Sequence, residues 1–400
     1  MRLALIIDDY LPNSTRVGAK MFHDLACQLI KNGHEIFVIT PEFNQDVKLK
    51  KSVLDGVVIW SFRSGMIKDV GKIHRTINET LLSIRAWSAI KSEIEHGYFD
   101  GIVYYSPSIF FSFFVKKLKK VCGCKSYLVL RDLFPQWAID QGLINHGSFI
   151  EKYFRYFENL NYNAADHIGL MSERNKSSFD DLTANVYSTS VLRNWSSYMP
   201  VKPYDNDISY RSKLGLNDKI IYFYGGNIGH AQNMENLMRL VKGMRSFQQA
   251  HFLFVGQGDE VELINKLAYD WELNNFTYCP SVSQDDFKYL LSEVDVGLFS
   301  LANSHSTHNF PGKLLGYMVQ SLPILGSVNP GNDLLDIITD YGAGDVFING
   351  DDENLLNACI AYLDTNYRLT RGNAATRLLN EKFSVEVAAA KVVRDLSGNT

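Results

Sequence analysis

Short apolar runs, each closed by polar or glycine-rich turns, recur along the chain with room for a helix between them. They read as continuous hydrophobic stretches, the pattern of parallel strands covered on both faces. Strands are predicted over 2–7, 35–40, 56–62, 100–105, 126–130, 167–171 and 187–192. Amphipathic helices fit between most of these, so residues 1 to about 195 predict one doubly wound α/β unit. The alternation stops at Pro200-Val201-Lys202-Pro203-Tyr204-Asp205-Asn206-Asp207, a proline- and aspartate-rich linker by composition. It resumes with strands near 219–224, 251–255, 275–279, 295–299 and 322–326. From about 384 an alanine- and valine-rich stretch predicts a last helix that can pack back onto the first domain. The expected architecture is two doubly wound, Rossmann-like domains, 1–199 and 200–383, facing each other across a cleft.

Two loops of the second domain carry the candidate chemistry. One runs Tyr224-Gly225-Gly226-Asn227-Ile228-Gly229-His230; the other runs Thr307-His308-Asn309-Phe310-Pro311-Gly312-Lys313-Leu314. Each follows an apolar strand pattern and leads into a helical one. A loop of that kind aims backbone N–H groups and a helix N-terminus at one point, which suits a phosphate. Two of them in one domain predict a diphosphate held between the loops. In the first domain, Arg131-Asp132 follows the strand at 126–130, at the end of a doubly wound sheet where ligands bind. Asp8-Asp9 after the first strand reads as a solvated turn rather than a metal site, and no Asp-x-Asp motif stands elsewhere at a strand end. No metal is expected.

Composition narrows the class. Hydrophobic residues at 46% and charged residues at 21% describe a globular chain. Cys27, Cys122, Cys124, Cys279 and Cys359 are scattered without metal-ligand spacing, consistent with a reducing compartment. The apolar run at the N-terminus is short and ends in two aspartates, so it is read as a first strand, not a signal peptide. No stretch approaches the roughly 18 apolar residues of a membrane span.

Charge is uneven: residues 1–200 carry 24 Lys and Arg against 20 Asp and Glu, residues 201–400 carry 16 against 24. The positive half contains Phe110-Phe111-Ser112-Phe113-Phe114-Val115-Lys116-Lys117-Leu118-Lys119-Lys120. Aromatics followed by lysines suit a lipid interface, which would use Phe110, Phe113, Phe114, Lys116, Lys117, Lys119 and Lys120. The same segment also reads as a helix packing Phe111, Phe114, Leu118 and Val121 on the sheet. Nucleic acid is excluded as a partner by the net charge of −4 and the lack of a basic stripe interleaved with stacking aromatics.

Nearly the whole chain resembles the retaining glycosyltransferases of the GT-B architecture, family four. The resemblance runs through Leu11 to Gly18, His23-Asp24-Leu25-Ala26, Asn32 to Pro41, Val255-Gly256-Gln257-Gly258-Asp259-Glu260 and Val294 to Leu298. Arg131-Asp132-Leu133-Phe134-Pro135 with Asn309-Phe310-Pro311-Gly312-Lys313 is similar to bacterial O-antigen enzymes that transfer N-acetyl-L-fucosamine. The resemblance implies a nucleotide-sugar donor, UDP-linked, held by the second domain, and a polyprenyl-diphosphate-linked saccharide acceptor bound by the first. No cofactor is implied. The protein would then sit peripherally on the inner face of a bacterial cytoplasmic membrane. Arg131, Asp132 and Lys313 are the implied catalytic residues. The implied donor contacts are Gly18, Gly225, Gly226, Asn227, Gly229, Ser281, Val282, His308, Asn309, Phe310, Pro311, Gly312, Lys313 and Leu314.

The sequence departs from that family at three places. The paired glutamates of the second domain fall at His308 and Gly316, so the carboxylate expected on the ribose is absent. The Arg and Lys that follow the glycine strand are replaced by Asn227 and the neutral Gln232-Asn233 region. The first-domain histidine aligns with Arg131. Lys313 and Arg131 are expected to take over the cationic role. Two other readings remain open at this stage: a non-catalytic GT-B-fold partner subunit, and a transferase or epimerase acting on a soluble substrate.

Overall fold

The computed structural model describes residues 1–14, 16–68, 70–203, 209–303 and 310–398. His308, Asn309 and the linker residues Tyr204 to Asp207 lie outside the described residues. The chain divides into two units, Met1–Arg193 with Val385–Thr400, and Asn194–Ser384. The division falls at 193/194 rather than the expected 199/200. Ser196 bridges Ser384 and its N–H donates to the Phe383 carbonyl at 2.9 Å, which ties this stretch to the second unit.

The first unit is built on eight strands: β1 (Arg2–Ile6), β2 (Glu35–Glu42), β3 (Leu49–Leu54), β4 (Val57–Arg63), β5 (Gly101–Ser106), β6 (Lys125–Leu130), β7 (His167–Leu170) and β8 (Thr189–Val191). Their order is β3-β4-β2-β1-β5-β6-β7-β8, parallel except for the β3–β4 pair. Helices Leu82–Ile90, Ser112–Cys122 and Phe149–Tyr162 share one buried cluster with strand residues such as Ile6, Ile39, Phe62 and Leu128. In Ser112–Cys122 the buried Phe114, Val115, Leu118 and Cys122 recur at helical spacing, and Gly123, at φ 70°, ends the helix. Helix Val385–Ser397 buries Val385, Ala388, Ala389, Val392 and Leu396 and packs against helix Val17–Lys31 and β6.

The second unit has six strands: β9 (Ile220–Asn227), β10 (Ala250–Gln257), β11 (Phe276–Pro280), β12 (Val296–Ser300), β13 (Ile324–Val328) and β14 (Gly344–Ile348). All are parallel, in the order β11-β10-β9-β12-β13-β14. Strand order therefore reverses direction between β1 and β5 in one unit and between β9 and β12 in the other. Those reversals are where helices diverge to opposite faces and leave a crevice at the carboxyl ends of the strands. β3 and β14 are additions to the sequence prediction.

Candidate active site

The reversal of the second sheet places β9 and β12 side by side, and the two candidate loops leave from their carboxyl ends. Pairing between them involves Tyr222 with Val296 and Phe223 with Gly297, whereas β9 runs on beside β10 to Asn227. Beyond Phe223 β9 has no bridge to β12: Gly225 is buried beside Phe287 and bonds the Tyr317 hydroxyl, while Gly226 and Asn227 are exposed. Gly226 has φ +113°, a conformation that a side chain would strain. A Cβ on Gly256 would lie 1.8 Å from the Gly226 carbonyl oxygen, so the two strands approach only as glycines.

Lys313 arrives from the other loop. It opens helix Lys313–Val319, whose Leu314, Leu315, Tyr317 and Met318 are buried and fix its direction. The Lys313 ammonium lies over the Tyr224 ring, 3.5 Å from its centroid, and beside Gly226. Burial holds its pKa down to about 7, with no carboxylate among the described residues to oppose the shift. A cation-π contact partly offsets the lost hydration. Tyr317 anchors the arrangement by donating to the Leu298 carbonyl at 3.0 Å. The result is a partly desolvated cation beside the exposed Gly226-Asn227 end of β9, a combination that suits a multivalent anion.

The other expected donor contacts divide. Asn227 donates to Gln232 Oε1 at 2.8 Å and Gly229 packs against Asp259 and Asn227, so both shape the loop after β9. Ser281, after β11, donates to Gln257 Oε1 at 3.2 Å and stays on the same carboxyl edge. Val282 and Phe310 pack on the core, the Phe310 ring 4.7 Å from that of Phe383, while Leu314 is fully buried. Pro311 is partly exposed and Gly312 exposed, completing the turn that leads into Lys313.

One expectation needs correcting. The helix after the first loop, Met234–Gly243, does not present a free N-terminus to a phosphate. The Glu260 carboxylate already accepts from Met234 N–H at 3.1 Å and pairs with His230 Nδ1 at 2.7 Å. Gly316, at the position of the absent ribose carboxylate, is pressed against Leu291; a Cβ there would lie 3.0 Å from Leu291 Cδ1.

In the first unit a cavity of about 800 Å³ opens at the carboxyl ends of β1, β2 and β4. Lys68 Nζ joins Asp8 at 3.2 Å and Asp9 at 3.1 Å on its wall, with Arg16 3.5 Å from Asp9. Asn13, Asn44, Gln45, Glu42, Ser52 and Ser61 add uncharged and charged hydrogen-bonding groups. Asp8-Asp9 is thus neutralised by cations rather than left as a solvated turn. Gly18 lies in the first turn of helix Val17–Lys31 against Tyr105 of β5, at the reversal of this sheet.

Arg131 lies inside the first unit. It is 8% exposed and donates to the Arg193 carbonyl at 3.2 Å, and burial lowers its pKa to about 10 despite Tyr105 and Tyr127 nearby. Asp132, beside it, reaches the surface, with desolvation pushing its carboxyl up and Arg131 pulling it down.

The expected lipid-facing segment is corrected in part. Phe110 and Phe114 are 4% and 0% exposed: Phe114 is on the inward face of helix Ser112–Cys122, and Phe110, just before that helix, packs on Phe157 with ring centroids 4.8 Å apart. Lys119 is held by Asp166 at 2.7 Å. Phe113, Lys116, Lys117 and Lys120 face outward. Sequence reasoning missed Tyr224, whose place in an apolar strand hid its second role, and Lys68, whose only signal was its position just past β4.

Residues 206–377 match the family described as "Glycosyl transferases group 1". The "Probable glycosyltransferase WbjE" of Pseudomonas aeruginosa is 22% identical over 228 residues, spanning 57% of each chain. The "Putative colanic acid biosynthesis glycosyl transferase WcaI" of Escherichia coli K12 is 23% identical over 329 residues, covering 78% of this chain and 80% of the relative. Among solved structures, sucrose-phosphate synthase from Thermosynechococcus elongatus superposes with a TM-score of 0.70 at 14% identity, both chains fully covered. Anabaena Alr3699/HepE in complex with UDP and glucose gives 0.66 at 14% identity, again with both chains fully covered. The chain therefore has the GT-B fold, and its second unit matches the group 1 glycosyltransferases.

Proposed function

We propose that this protein is a glycosyltransferase that moves a sugar from a nucleotide-diphosphate donor to a lipid-linked saccharide during assembly of a bacterial surface polysaccharide. The second unit would hold the donor and the first the acceptor, at the inner face of the cytoplasmic membrane. The observation that carries the reading is Lys313: a partly buried ammonium beside the exposed Gly226 of β9, with no carboxylate partner among the described residues. Breaking a sugar–phosphate bond concentrates negative charge on the departing diphosphate, and a fixed cation in a dry site stabilises that charge without reorganising. Lys313 would fill this role without a metal ion.

Chemistry with retained configuration fits this arrangement. The acceptor hydroxyl bonds to the anomeric carbon on the face from which the diphosphate leaves. The carbon–oxygen bond to phosphate breaks, and the leaving phosphate oxygen takes the hydroxyl proton. The cavity of the first unit has the volume and polar lining of a sugar-sized site. UDP as carrier is supported by the UDP complex of a structural relative. N-acetyl-L-fucosamine as the sugar rests on the Arg131 to Pro135 and Phe310 to Lys313 resemblance.

Titration calorimetry with UDP, GDP and ADP, on wild type and Lys313→Ala, tests the donor site. The expected result is selective binding of UDP that weakens in the variant. No binding of any of them at millimolar concentration would contradict it and favour the non-catalytic partner reading. Packing of Gly316 against Leu291, where a ribose-binding carboxylate would otherwise stand, is the observation on that side.

A further inference from the structure

Four helices of the first unit, Lys72–Thr80, Leu82–Ile90, Ser112–Cys122 and Phe149–Tyr162, lie together as one layer. Ser83 joins two of them, accepting from Phe114 N–H at 3.2 Å and donating to the Phe110 carbonyl, and the Thr80 and Tyr153 hydroxyls join two others. Leu82–Ile90, Ser112–Cys122 and the end of Phe149–Tyr162 put their inner faces into the core cluster, whereas Lys72–Thr80 buries no residue and lies at the margin of the layer. The outer faces carry large apolar side chains: Phe149 is 90% exposed, Ile150 59% and Phe113 48%, with Ile73, Ile77 and Ile84 also exposed.

The charges on this layer are segregated by depth. Its only carboxylates, Glu79, Glu151 and Glu158, are shielded and each is paired with an arginine: Arg75 at 2.9 Å for Glu79, Arg155 at 3.7 and 2.9 Å for the others. Lys72, Lys116, Lys117, Lys120 and Lys152 are exposed and form no ion pair among the described residues. Two of these lysines sit over exposed rings, Lys117 over Phe113 at 5.4 Å and Lys152 over Phe149 at 5.8 Å. Ser148 caps the last helix by accepting from Glu151 N–H at 3.1 Å, which holds Phe149 and Ile150 out at a rigid corner.

We infer that this four-helix layer docks the protein on an anionic lipid surface. Apolar side chains that project from a rigid layer can enter the acyl boundary, while cations around them meet lipid phosphates. A surface whose outward charges are all positive complements an anionic bilayer. The inference deepens the lipid-linked acceptor reading, yet its geometry stands without any bound sugar.

Co-sedimentation of the full-length protein with vesicles tests it, in the absence of nucleotide and acceptor. Vesicles of phosphatidylcholine alone are compared with vesicles containing phosphatidylglycerol. Binding should require the anionic lipid and fall with added salt. Substituting Lys116→Gln, Lys117→Gln and Lys120→Gln together should weaken it about a hundredfold, at roughly fivefold per lysine near such a surface. Phe149→Ser with Ile150→Ser should also release the protein, while leaving its circular dichroism and UDP binding unchanged. Equal binding to neutral vesicles, or binding that survives both variants, would overturn the inference. So would a dimer in lipid-free solution that Phe149→Ser with Ile150→Ser dissolves, which would make the layer a contact between copies. Transfer to a soluble acceptor analogue, measured on the same variants, should be unaffected. Loss of vesicle binding and loss of the reaction are thus read separately.

Discussion

Lys313 concentrates the residue-scale account, because burial has pulled its proton affinity down to about 7 in the unliganded protein. A diphosphate beside it would raise that pKa, so donor binding should take up a proton. Affinity for UDP should therefore be greatest below pH 7 and fall by up to about tenfold per unit above it. Calorimetry between pH 6 and 9 reads this directly, and Lys313→Met should flatten the profile. The same shift has a stability consequence of fixed sign. The folded pKa lies below the unfolded value of 10.5, so the unfolded chain binds more protons between the two. The stability deficit of the lysine is full below about 7 and disappears as pH rises towards 10.5. Lys313→Met should stabilise the unliganded protein at pH 7, and stabilise it less at pH 9, in chemical denaturation. In turnover, Lys313→Ala should reduce kcat/KM by about 2.7–4 kcal/mol, the loss seen on removing a fixed oxyanion donor. The lysine was legible because it follows Phe310-Pro311-Gly312 after an apolar strand. Tyr224 was not, since a tyrosine in an apolar run looks like core until its ring is seen beneath the ammonium.

At the scale of elements, β9 and β10 are joined so closely that no side chain fits between them at Gly256. Gly256→Ala should cost about 1–3 kcal/mol or more of stability through overpacking, and should weaken UDP binding by displacing Gly226. Gly71→Ala, where nothing lies within 4 Å of the new Cβ, should change neither by much. Parallel strands were legible because burial on both faces demands continuous apolar runs, as in Ile220 to Tyr224. β3 escaped because it is an antiparallel edge, largely solvated, with Lys50, Lys51 and Ser52 exposed. Its signal lay in the turn instead. Asp55-Gly56, at φ 50° and 82°, is the two-residue hairpin connection that joins Leu54 to Val57. β14 escaped because only Val346, Phe347 and Ile348 supply its apolar run. The helix Ser112–Cys122 carries both of its sequence readings at once: its period commits Phe114 and Leu118 to the core and leaves Phe113, Lys116, Lys117 and Lys120 outward.

At the scale of the whole molecule, the order β4-β2-β1-β5-β6-β7 of the first unit is repeated as β11-β10-β9-β12-β13-β14 in the second, and each has a functional candidate at the carboxyl ends beside its reversal. The chain leaves the first unit at Arg193 and returns to it at Val385. The return is held by Asp395, which accepts from Ser190 of β8 at 2.9 Å and lies 3.3 Å from His167 of β7. The duplication was legible from the alternation of strands and helices; the cavity of the first unit was not, because its walls come from three strand ends and the β3 hairpin. The most direct test of the central claim is incubation with UDP-N-acetyl-L-fucosamine and an N-acetylglucosamine-diphospho-lipid, reading UDP release and the NMR of the product. The account predicts one new glycosidic bond with the donor's anomeric configuration retained, and its loss in folded Lys313→Ala protein. An inverted linkage, or full activity without Lys313, would contradict it.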